Sequence, residues 1–401
     1  MWRRVELKNY RSIEKVSVDL APFTVLVGPN GSGKSNFADA LVFARDVQVD
    51  AATAVERRGG IVGVRRWRPA KPTDVTVDVR AAESRPDLDK EYARHLFMIH
   101  SGKDGAWRFR REIVELVEAG QTISRITRKD DELDFGVPQQ KPPSDLSDER
   151  LFELSSTASA MVLARQLRFL LRSGHSITVE SMLRLEALRS IRRVRLNPEA
   201  MRLPQATAET TRLDESGGNI AVAYRSLKEP SKKRVLLAMQ KIVPGLSRIS
   251  VEPFDRFLLL KFEQRQAGQE HASFSGSEMS EGALRALGIL VAAEQMTAGE
   301  LLIIEEPEVS IHVGAAQLLF EVLKRASTRG AVLITTHSAD LLDAARDEEI
   351  LVCSYRNGIT RIGPLASAQR AVVKEGLFSV AELMRSEPLR IEGEPPDLTG
   401  S

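Results

Sequence analysis

The stretch Phe23-Thr-Val-Leu-Val-Gly-Pro-Asn-Gly-Ser-Gly-Lys-Ser35 decides the fold class. It joins a short apolar run, Phe23 to Val27, to a loop that fits G-x-x-x-x-G-K-[ST], and a helical run from Asn36 to Phe43 follows. Glycines let successive backbone N–H groups point at phosphate oxygens, and the new helix adds the positive end of its dipole. The spacing therefore predicts a phosphate-binding loop between a buried strand and a helix.

Two further apolar runs end in polar residues. Leu301 to Ile304 precedes Glu305 and Glu306, and a run that begins at Ala331 leads through two threonines to His337. Such continuous apolar runs are typical of strands buried on both faces of a parallel sheet, where ligands bind beyond the carboxyl ends of the strands. We therefore predict an α/β fold, a P-loop nucleoside triphosphatase whose mixed central sheet is flanked by helices.

These residue types suit the hydrolysis of a nucleoside triphosphate. Lys34 would neutralise the β- and γ-phosphates, and the Ser35 hydroxyl would hold Mg²⁺. Glu305 would bind the Mg²⁺ shell, and Glu306 would orient and deprotonate the attacking water. His337 could contact the γ-phosphate and that water. The alternatives remain open at this point: an acidic turn after a core strand, and a structural histidine at a strand end.

The pattern of apolar residues changes along the chain. Alternation between residues 73 and 129 predicts four antiparallel strands, and helical periodicity follows from about 146 to 195. No heptad pattern lasts beyond a few turns, so a long coiled coil is not expected. We predict an N-terminal ATPase lobe with an antiparallel β subdomain (1–145), a short helical insertion lobe (146–245), a C-terminal ATPase lobe (246–385) and a flexible acidic tail (386–401).

Composition narrows the class of protein. The single cysteine, Cys353, excludes an intramolecular disulfide and fits a reducing compartment. No apolar segment follows the arginines near the start, and no uninterrupted apolar stretch is long enough to span a membrane. We therefore expect a cytoplasmic protein. The formal net charge of +2 says little about partners.

Five motifs in order resemble the RecF/SMC-like branch of the ABC-type ATPases. They are Lys8-Asn-Tyr-Arg-Ser12, GPNGSGKS from Gly28, Met279-Ser-Glu-Gly-Ala-Leu-Arg285, IIEEPEVSIH from Ile303 and TTHS from Thr335. The signature S-[DE]-G-x-L-R is similar to that of bacterial predicted AAA-family ATPases, whose relatives include OLD-like and antiphage-defence proteins. The resemblance covers essentially residues 1–365 and implies an ABC-type ATPase.

The resemblance implies a homodimer that shares its sites. Ser280, Glu281 and Gly282 match the signature, which in this family contacts the γ-phosphate held by the other subunit. Glu281 stands in place of glycine and must therefore point away from phosphate. Arg11 and Ser12 would lie near the α-phosphate or ribose of the nucleotide, and a plain turn after the first strand fits these two residues equally. Residues 308–312 match the D-loop that crosses the dimer. The implied nucleotide-binding set is Arg11, Ser12, Asn30, Gly31, Ser32, Gly33, Lys34, Ser35 and Asn36, with Glu306, His337 and Lys34 in catalysis and Ser35 and Glu305 on Mg²⁺.

The function that follows is an ATPase cycle that acts on nucleic acid or controls a partner effector, possibilities that include a nuclease, DNA repair and antiphage defence. The alternative is the nucleotide-binding subunit of a transporter, which the wide separation of Lys34 and Ser280 and the MSEGA signature disfavour. A built-in nuclease domain is not expected in the roughly 64 residues after His337.

Two basic clusters would suit sequence-independent binding to a phosphate backbone, although a solvated face or a partner interface fits them equally. One lies within residues 161–203 and includes Arg189, Arg192 and Arg193 on presumed helices; the other spans residues 57–71. Arg57 and Arg58 also match the place of an arginine loop in SMC-like proteins, where a solvated basic turn is the simpler interpretation. Gln139 and Gln140 are weak candidates for the Q-loop glutamine.

Overall fold

The computed structural model describes residues 1–66, 72–130, 132–136, 157, 159–160, 179–206, 210–266 and 269–394. The chain divides into two compact units. Unit 1 contains Met1–Ile191, Glu348–Arg370 and Leu389–Ser401, and unit 2 contains Arg192–Asp347 and Ala371–Pro388. Each unit is described separately below.

The strands, in chain order, are β1 (Trp2–Tyr10), β2 (Ile13–Leu20), β3 (Phe23–Val27), β4 (Val75–Ala82), β5 (Tyr92–Ser101), β6 (Trp107–Glu118), β7 (Gln121–Lys129), β8 (Glu132–Gly136), β9 (Ile191–Val194), β10 (Gln205–Ala206), β11 (Leu246–Phe254), β12 (Phe257–Gln266), β13 (Gln269–Ser275), β14 (Leu301–Glu305), β15 (Ala331–Thr336), β16 (Ile350–Arg356) and β17 (Ile359–Pro364).

The α-helices are α1 (Lys34–Val47), α2 (Ala51–Glu56), α3 (Ile61–Val64), α4 (Val179–Ala187), α5 (Pro198–Arg202), α6 (Ile220–Arg225), α7 (Glu229–Ile242), α8 (Glu281–Glu294), α9 (Val313–Ala326), α10 (Ser367–Lys374) and α11 (Val380–Ser386). Short 3₁₀ turns cover Pro86–Asp89, Gly276–Glu278, Ala339–Ala344 and Asp347–Glu349. Within the described part of the chain, no helix is both long and apolar enough to cross a membrane.

Unit 1 is built on a mixed sheet in the order β8-β7-β6-β5-β4-β1-β2-β17-β16-β3. The pairs from β8 to β2 are antiparallel, whereas β2–β17 and β16–β3 are parallel. All five residues of β3 are buried, as expected for a strand covered on both faces. Helix α1 is also buried along most of its length. The phosphate-loop motif therefore lies between a fully buried strand and a largely buried helix.

Unit 2 contains the parallel pair β14–β15, with β9 beside β14, and a separate antiparallel sheet of β10, β12 and β11 with β13 paired to β12. Every residue of β15 is buried, and β14 is buried up to its last residue, Glu305. The polar residues that follow each of these strands therefore lie where the buried core ends. Helix α8 buries its residues on nearly all sides, because it consists mainly of Ala, Leu, Ile and Val.

The α/β class with a mixed sheet is confirmed, and so are the four antiparallel strands, which are β4 to β7. They are continuous with β1, on which β4 pairs directly. The helical interpretation of residues 146–195 is wrong for Ile191–Val194, which form strand β9, while Val179–Ala187 is a helix and most of the remaining stretch lies outside the described residues. The four-part division of the chain stays a prediction.

The first part of the expected tail is held in place. Ile391 forms a bridge with Leu365 and is only 7% exposed, and the Glu392 N–H donates to the Pro364 carbonyl at 2.9 Å. The apolar side chain of Ile391 explains why this short segment packs against the sheet. Residues 395–401 lie outside the described residues.

Candidate functional site

The loop between β3 and α1 has the backbone geometry of an anion-binding loop. Gly31 and Gly33 adopt φ values of 75° and 107°, in the left-handed region that glycine occupies without strain. Helix α1 begins at Lys34, so its free N–H groups open onto the same loop. Asn30 and Ser35 are exposed at the rim, whereas Ser32 is buried in the floor. The loop can therefore surround a phosphate with backbone donors.

Lys34 places a positive charge inside this loop. Its side chain is buried, and its ammonium donates to the carbonyl oxygens of Gly28 and Pro29 at 2.7 and 3.0 Å. Carbonyl oxygens hold the ammonium at the centre of the curve without neutralising it. The predicted cation of the phosphate site is thus fixed by the loop itself.

The floor of the loop is closed by two residues that the motif does not contain. Thr360 on β17 donates its hydroxyl to the Ser32 carbonyl at 2.9 Å, and Cys353 on β16 lies against the same carbonyl. A Cβ at Gly33 would lie 2.1 Å from Thr360 Oγ1, and one at Gly28 would lie 2.1 Å from the Cys353 carbonyl oxygen. Glycine is therefore required at both positions by the neighbouring strands. Burial raises the pKa of the Cys353 thiol to about 11, which makes it a poor nucleophile.

The two-residue turn between β1 and β2 lies against the same loop. Asn36 Nδ2 donates to Ser12 Oγ at 2.6 Å, and Ser12 Oγ lies 2.7 Å from Thr360 Oγ1. Arg11 has a left-handed φ of 46°, and its guanidinium lies 3.1 Å from the Asp39 carboxylate. The turn is thereby tied to α1 at two points. The structure brings Arg11, Ser12 and Asn36 together, as the resemblance implies, while their roles remain a proposal.

Asp39 on α1 anchors the segment behind the loop. It accepts two hydrogen bonds from Arg58, both 3.1 Å long, and one from the Tyr10 hydroxyl at 2.5 Å. Burial alone would raise the pKa of Asp39, but the hydrogen bonds and charge of Arg58 outweigh it and the pKa lies below its usual value. The Arg58 side chain is 6% exposed and lies over the Phe43 ring. The interpretation of this arginine as a solvated turn is wrong, because its charge is buried and paired.

Replacing Arg58 with methionine should destabilise the protein by about 3 kcal/mol at pH 7, because it leaves a buried carboxylate with fewer partners. Since the folded pKa of Asp39 is lowered, its contribution is present above the ordinary aspartate pKa and is lost as the pH falls through the folded value. The difference between variant and wild type should therefore shrink below about pH 4. Urea unfolding at pH 7 and in acid measures both. Arg57→Met, which alters the exposed neighbour, is the matched control.

In unit 2, the carboxylates at the end of β14 occupy different environments. The Glu305 side chain is 9% exposed and that of Glu306 is 37% exposed. Glu306 has a φ of 47°, and its N–H donates to the Thr335 carbonyl at 2.9 Å. A left-handed glutamate costs backbone energy, and such strain is concentrated at functional positions. The turn re-aims the second carboxylate out of the strand direction, where it can meet water.

His337 lies beside this carboxylate. Its Nδ1 is 3.5 Å from Glu306 Oε1 and 3.8 Å from Glu308 Oε1, and the ring is 40% exposed. The predicted association of Glu305, Glu306 and His337 in one place is thus observed within unit 2. Two acceptors on one side of the ring favour a hydrogen on Nδ1. The other ring nitrogen, Nε2, then remains for a ligand.

Arg193 on β9 lies close to Glu305. Its guanidinium is 3.8 Å from Glu305 Oε1 and donates to Glu215 at 2.7 Å. The arginine thus supplies a positive neighbour for the Glu305 carboxylate.

Comparisons with known proteins agree with this geometry. A family profile described as "AAA domain, putative AbiEii toxin, Type IV TA system" matches residues 164–343, and one described as "AAA ATPase domain" matches residues 1–84. The chain is 56% identical over 41 residues to the chromosome partition protein Smc of Methanocaldococcus jannaschii and 42% identical over 41 residues to the OLD nuclease of Thermus scotoductus. These matches cover 10% of this chain in both cases, and 4% and 8% of the respective relatives.

A solved structure extends the likeness to the whole fold. The crystal structure of an Smc head bound to the C-winged helix domain of ScpA superposes with a TM-score of 0.52 at 16% identity, and the match covers 92% of this chain and 98% of that one. The profile matches and this superposition support a RecF/SMC-like ABC-type ATPase. Its fold is that of an SMC head, and no long coiled coil is seen in the described part of the chain.

The segment that resembles the ABC signature opens helix α8. Ser280 is exposed, and its Oγ accepts from the Ala283 N–H at 3.3 Å as a helix N-cap. Ser310 Oγ donates to Glu281 at 3.4 Å, and a Cβ at Gly282 would lie 2.2 Å from the Ser310 carbonyl oxygen. The glutamate that replaces glycine in the signature therefore has a partner in the loop after β14. His312 caps α9 by accepting from the Gly314 N–H at 3.3 Å.

Several basic residues of the chain form internal contacts rather than an exposed basic surface. Arg192 is buried on β9, pairs with Glu300 at 2.8 Å and donates to the Ala292 carbonyl at 2.6 Å. The helical basic face predicted for Arg192 and Arg193 is therefore wrong, because both guanidiniums are used inside unit 2. In the second cluster, Arg65 donates to Ser101 and Arg66 to Glu14, both at 2.6 Å. Gln139, Gln140 and residues 67–71 and 161–178 lie outside the described residues.

Sequence reasoning did not assign four residues to the surroundings of the candidate site: Thr360, Cys353, Arg193 and Asp39. Asn357-Gly358 is a strong two-residue hairpin signal, and both residues adopt left-handed φ between β16 and β17. That signal could have located the strand that carries Thr360. It could not have located the contact, because the residues that meet in unit 1 are more than 300 positions apart.

Proposed function

We propose that this chain binds ATP with Mg²⁺ and hydrolyses it to ADP and phosphate. The observation that carries the proposal is the phosphate loop. Gly31 and Gly33 adopt left-handed φ at the start of a buried helix, and the Lys34 ammonium is held within the curve of the loop. Backbone donors, a helix N-terminus and a fixed cation are the combination that binds a polyphosphate.

The residues present fit a magnesium ion. The exposed Ser35 hydroxyl and the Glu305 carboxylate are the hard oxygen donors that Mg²⁺ prefers. A Cβ at Gly33 would overlap Thr360, so the loop that leads to Ser35 accommodates only glycine at this position. When bound, Mg²⁺ would neutralise charge on the phosphates. Glu305 and Ser35 would hold its coordination shell in place.

For hydrolysis, Glu306 would orient and deprotonate the attacking water. Its carboxylate is partly exposed and its strained backbone directs it away from the strand. His337, 3.5 Å away, would hold the γ-phosphate and the water in position, and Lys34 would stabilise the developing phosphate charge. A carboxylate suits the deprotonation of water and an imidazole suits the positioning of the γ-phosphate, and the two side chains follow the neighbouring strands β14 and β15.

We further propose that ATP joins two copies of the chain. Ser280 and Glu281 are exposed at the N-terminus of a 14-residue helix, which presents a hydroxyl and free N–H groups outward. A second copy could offer this surface to the γ-phosphate bound by the first, and the reverse contact follows by symmetry. Each composite site would then contain Lys34, Glu306 and His337 from one chain and Ser280 and Gly282 from the other.

The cycle of ATP binding and hydrolysis would control a partner effector or act on nucleic acid. An Smc head of the same fold is described in complex with the C-winged helix domain of ScpA, and one relative is named a nuclease. The profile matched over residues 164–343 is described with a toxin–antitoxin system. These names suit a cycle that acts on nucleic acid or through a second protein. DNA repair and antiphage defence are the settings that we propose for it.

Glu306→Gln is the experiment that tests this proposal. Glutamine keeps the size and hydrogen bonding of the side chain but cannot take the proton from water. We expect ATP hydrolysis to fall by about 100-fold and ATP-dependent dimers to accumulate, as measured by phosphate release and sedimentation. Glu321→Gln, an exposed change of the same charge on α9, should behave as the wild type. An oligomeric state that is the same with and without ATP would contradict the ATP-joined dimer.

A further inference from the structure

Glu308 lies beside Thr336 and His337 of its own chain, although its place in the motif matches the loop that the resemblance assigns to a dimer contact. Its side chain is 12% exposed, and Oε1 accepts from the Thr336 hydroxyl at 2.5 Å. Oε2 is buried and has no hydrogen-bond partner among the described residues. A buried carboxylate oxygen without a donor costs about 1–3 kcal/mol, so this carboxylate gains free energy when it turns toward a further donor.

Thr336 connects this carboxylate to the turn that carries His337. The Thr336 hydroxyl is fully buried and accepts from the Ser338 N–H at 2.9 Å. Because that hydroxyl has one proton, it donates to Glu308 while it accepts from Ser338. The residues on both sides of His337 are therefore fixed, directly or through one hydroxyl, by Glu308.

The same carboxylate is within reach of the imidazole. The distance between Glu308 Oε1 and His337 Nδ1 is 3.8 Å, which is too long for a hydrogen bond. A side-chain displacement of about 1 Å would bring the two atoms within hydrogen-bond distance. Glu306 lies nearer, at 3.5 Å, but is more exposed. A hydrogen bond from His337 to Glu306 would occupy the group needed to deprotonate water, whereas one to Glu308 would leave it free.

We propose that Glu308 is the positioning residue of His337. It holds the turn through Thr336 and accepts the Nδ1 hydrogen of the imidazole, so that Nε2 faces the γ-phosphate and Glu306 keeps its carboxylate for water. A carboxylate that orients a histidine in this way sets both the tautomer and the ring direction. This inference rests on the proposed ATPase function and assigns to that site a third carboxylate.

Steady-state kinetics of single and double variants test the inference. Glu308→Gln removes the charge but still accepts from Thr336, and Thr336→Val removes the hydroxyl at nearly constant shape. Each should lower kcat on the order of 10-fold while KM for ATP changes by less than about twofold. In combination with His337→Ala, neither should lower the rate further, because both act through the imidazole. Glu321→Gln controls for the loss of one negative charge.

Additive losses in the double variants would overturn the inference, since Glu308 would then act independently of His337. Wild-type rates in both single variants, beside an impaired His337→Ala, would also overturn it and leave the ATPase proposal standing. A wild-type chain that does not hydrolyse ATP, or an unimpaired His337→Ala, would instead count against the proposed function.

A second measurement does not depend on turnover. Long-range ¹⁵N–¹H spectra of the histidines distinguish hydrogen on Nδ1 from hydrogen on Nε2, and the His337 signals are those absent in His337→Ala. The wild type should carry hydrogen on Nδ1, and Glu308→Gln and Thr336→Val should shift the population toward Nε2. A tautomer that is unchanged in both variants would overturn the proposal even if the rates fall.

Discussion

Replacing Lys34 with methionine should weaken ATP binding by about 100-fold and abolish measurable hydrolysis. Methionine keeps the unbranched stem but removes the ammonium, and hydrogen bonds to a charged group contribute about 1.5–3 kcal/mol each. The variant also loses the two bonds, 2.7 and 3.0 Å long, by which the ammonium holds the loop carbonyls. Both losses lower the affinity of the loop for ATP. Calorimetric titration with ATP and Mg²⁺ measures the affinity directly.

Lys15→Met is the matched control for this substitution. Lys15 is an exposed lysine on β2 in the same unit, so its replacement removes an equal charge at a distance from the loop. Its ATP affinity should equal that of the wild type. Wild-type affinity in Lys34→Met would show that the phosphate-loop assignment is wrong, provided that the thermal unfolding of both variants is unchanged.

Ser280→Arg should abolish hydrolysis while leaving ATP binding by a single chain nearly intact. In the proposed dimer, Ser280 never contacts the nucleotide of its own protomer. An arginine at the exposed N-terminus of α8 would fill the space intended for the partner's γ-phosphate and would remove the cap on the Ala283 N–H. Turnover and ATP-dependent dimerisation should both be lost. Titration with ATP and sedimentation distinguish these effects.

Mixing Ser280→Arg with Lys34→Met tests whether the site is shared. In a mixed dimer, the first chain binds ATP with an intact Lys34 and the second supplies an intact signature. Hydrolysis should recover to about half of the wild-type rate per dimer if the two sites act independently. Recovery would be impossible if each chain held a complete site of its own, because both single changes inactivate it.

Ser379→Arg controls for the loss of a helix cap. Ser379 caps α11 with its hydroxyl, as Ser280 caps α8, and is half-buried. A similar cost in stability is expected, about 1 kcal/mol, with normal turnover.

If no activity returns when Ser280→Arg and Lys34→Met are mixed, although mixed dimers are demonstrated, then independent shared sites are contradicted.

The local motifs were predictable because their chemistry depends on residues that are adjacent in the sequence. Gly31, Gly33 and Lys34 form a phosphate loop through backbone conformations that glycine alone adopts without strain, and the strand before them is buried. Glu305, Glu306 and His337 follow buried strands, so the parallel pairing of β14 and β15 brings them to one edge. Periodicity and residue type are sufficient for such inferences.

Contacts that support these motifs were not predictable. Thr360 closes the floor of the loop, and Arg58 pairs with Asp39 beneath it. No sequence pattern around Thr360 or Arg58 indicates either contact. Arg192 and Arg193 suggested a basic helical face, whereas the strand they form turns both toward carboxylates within unit 2. A charged side chain shows its role only when its neighbours are known.

By itself, the sequence determined the α/β class, the phosphate loop and the acidic and histidine residues at the strand ends, because strand burial and glycine conformation depend on near neighbours. Only the tertiary structure decided which residues complete these sites. Glu308 matched a dimer-crossing loop by its position, but its hydrogen bond to Thr336 places it beside His337. Such assignments depend on distances between side chains far apart in the sequence, and those distances arise only when the strands pair and the core packs.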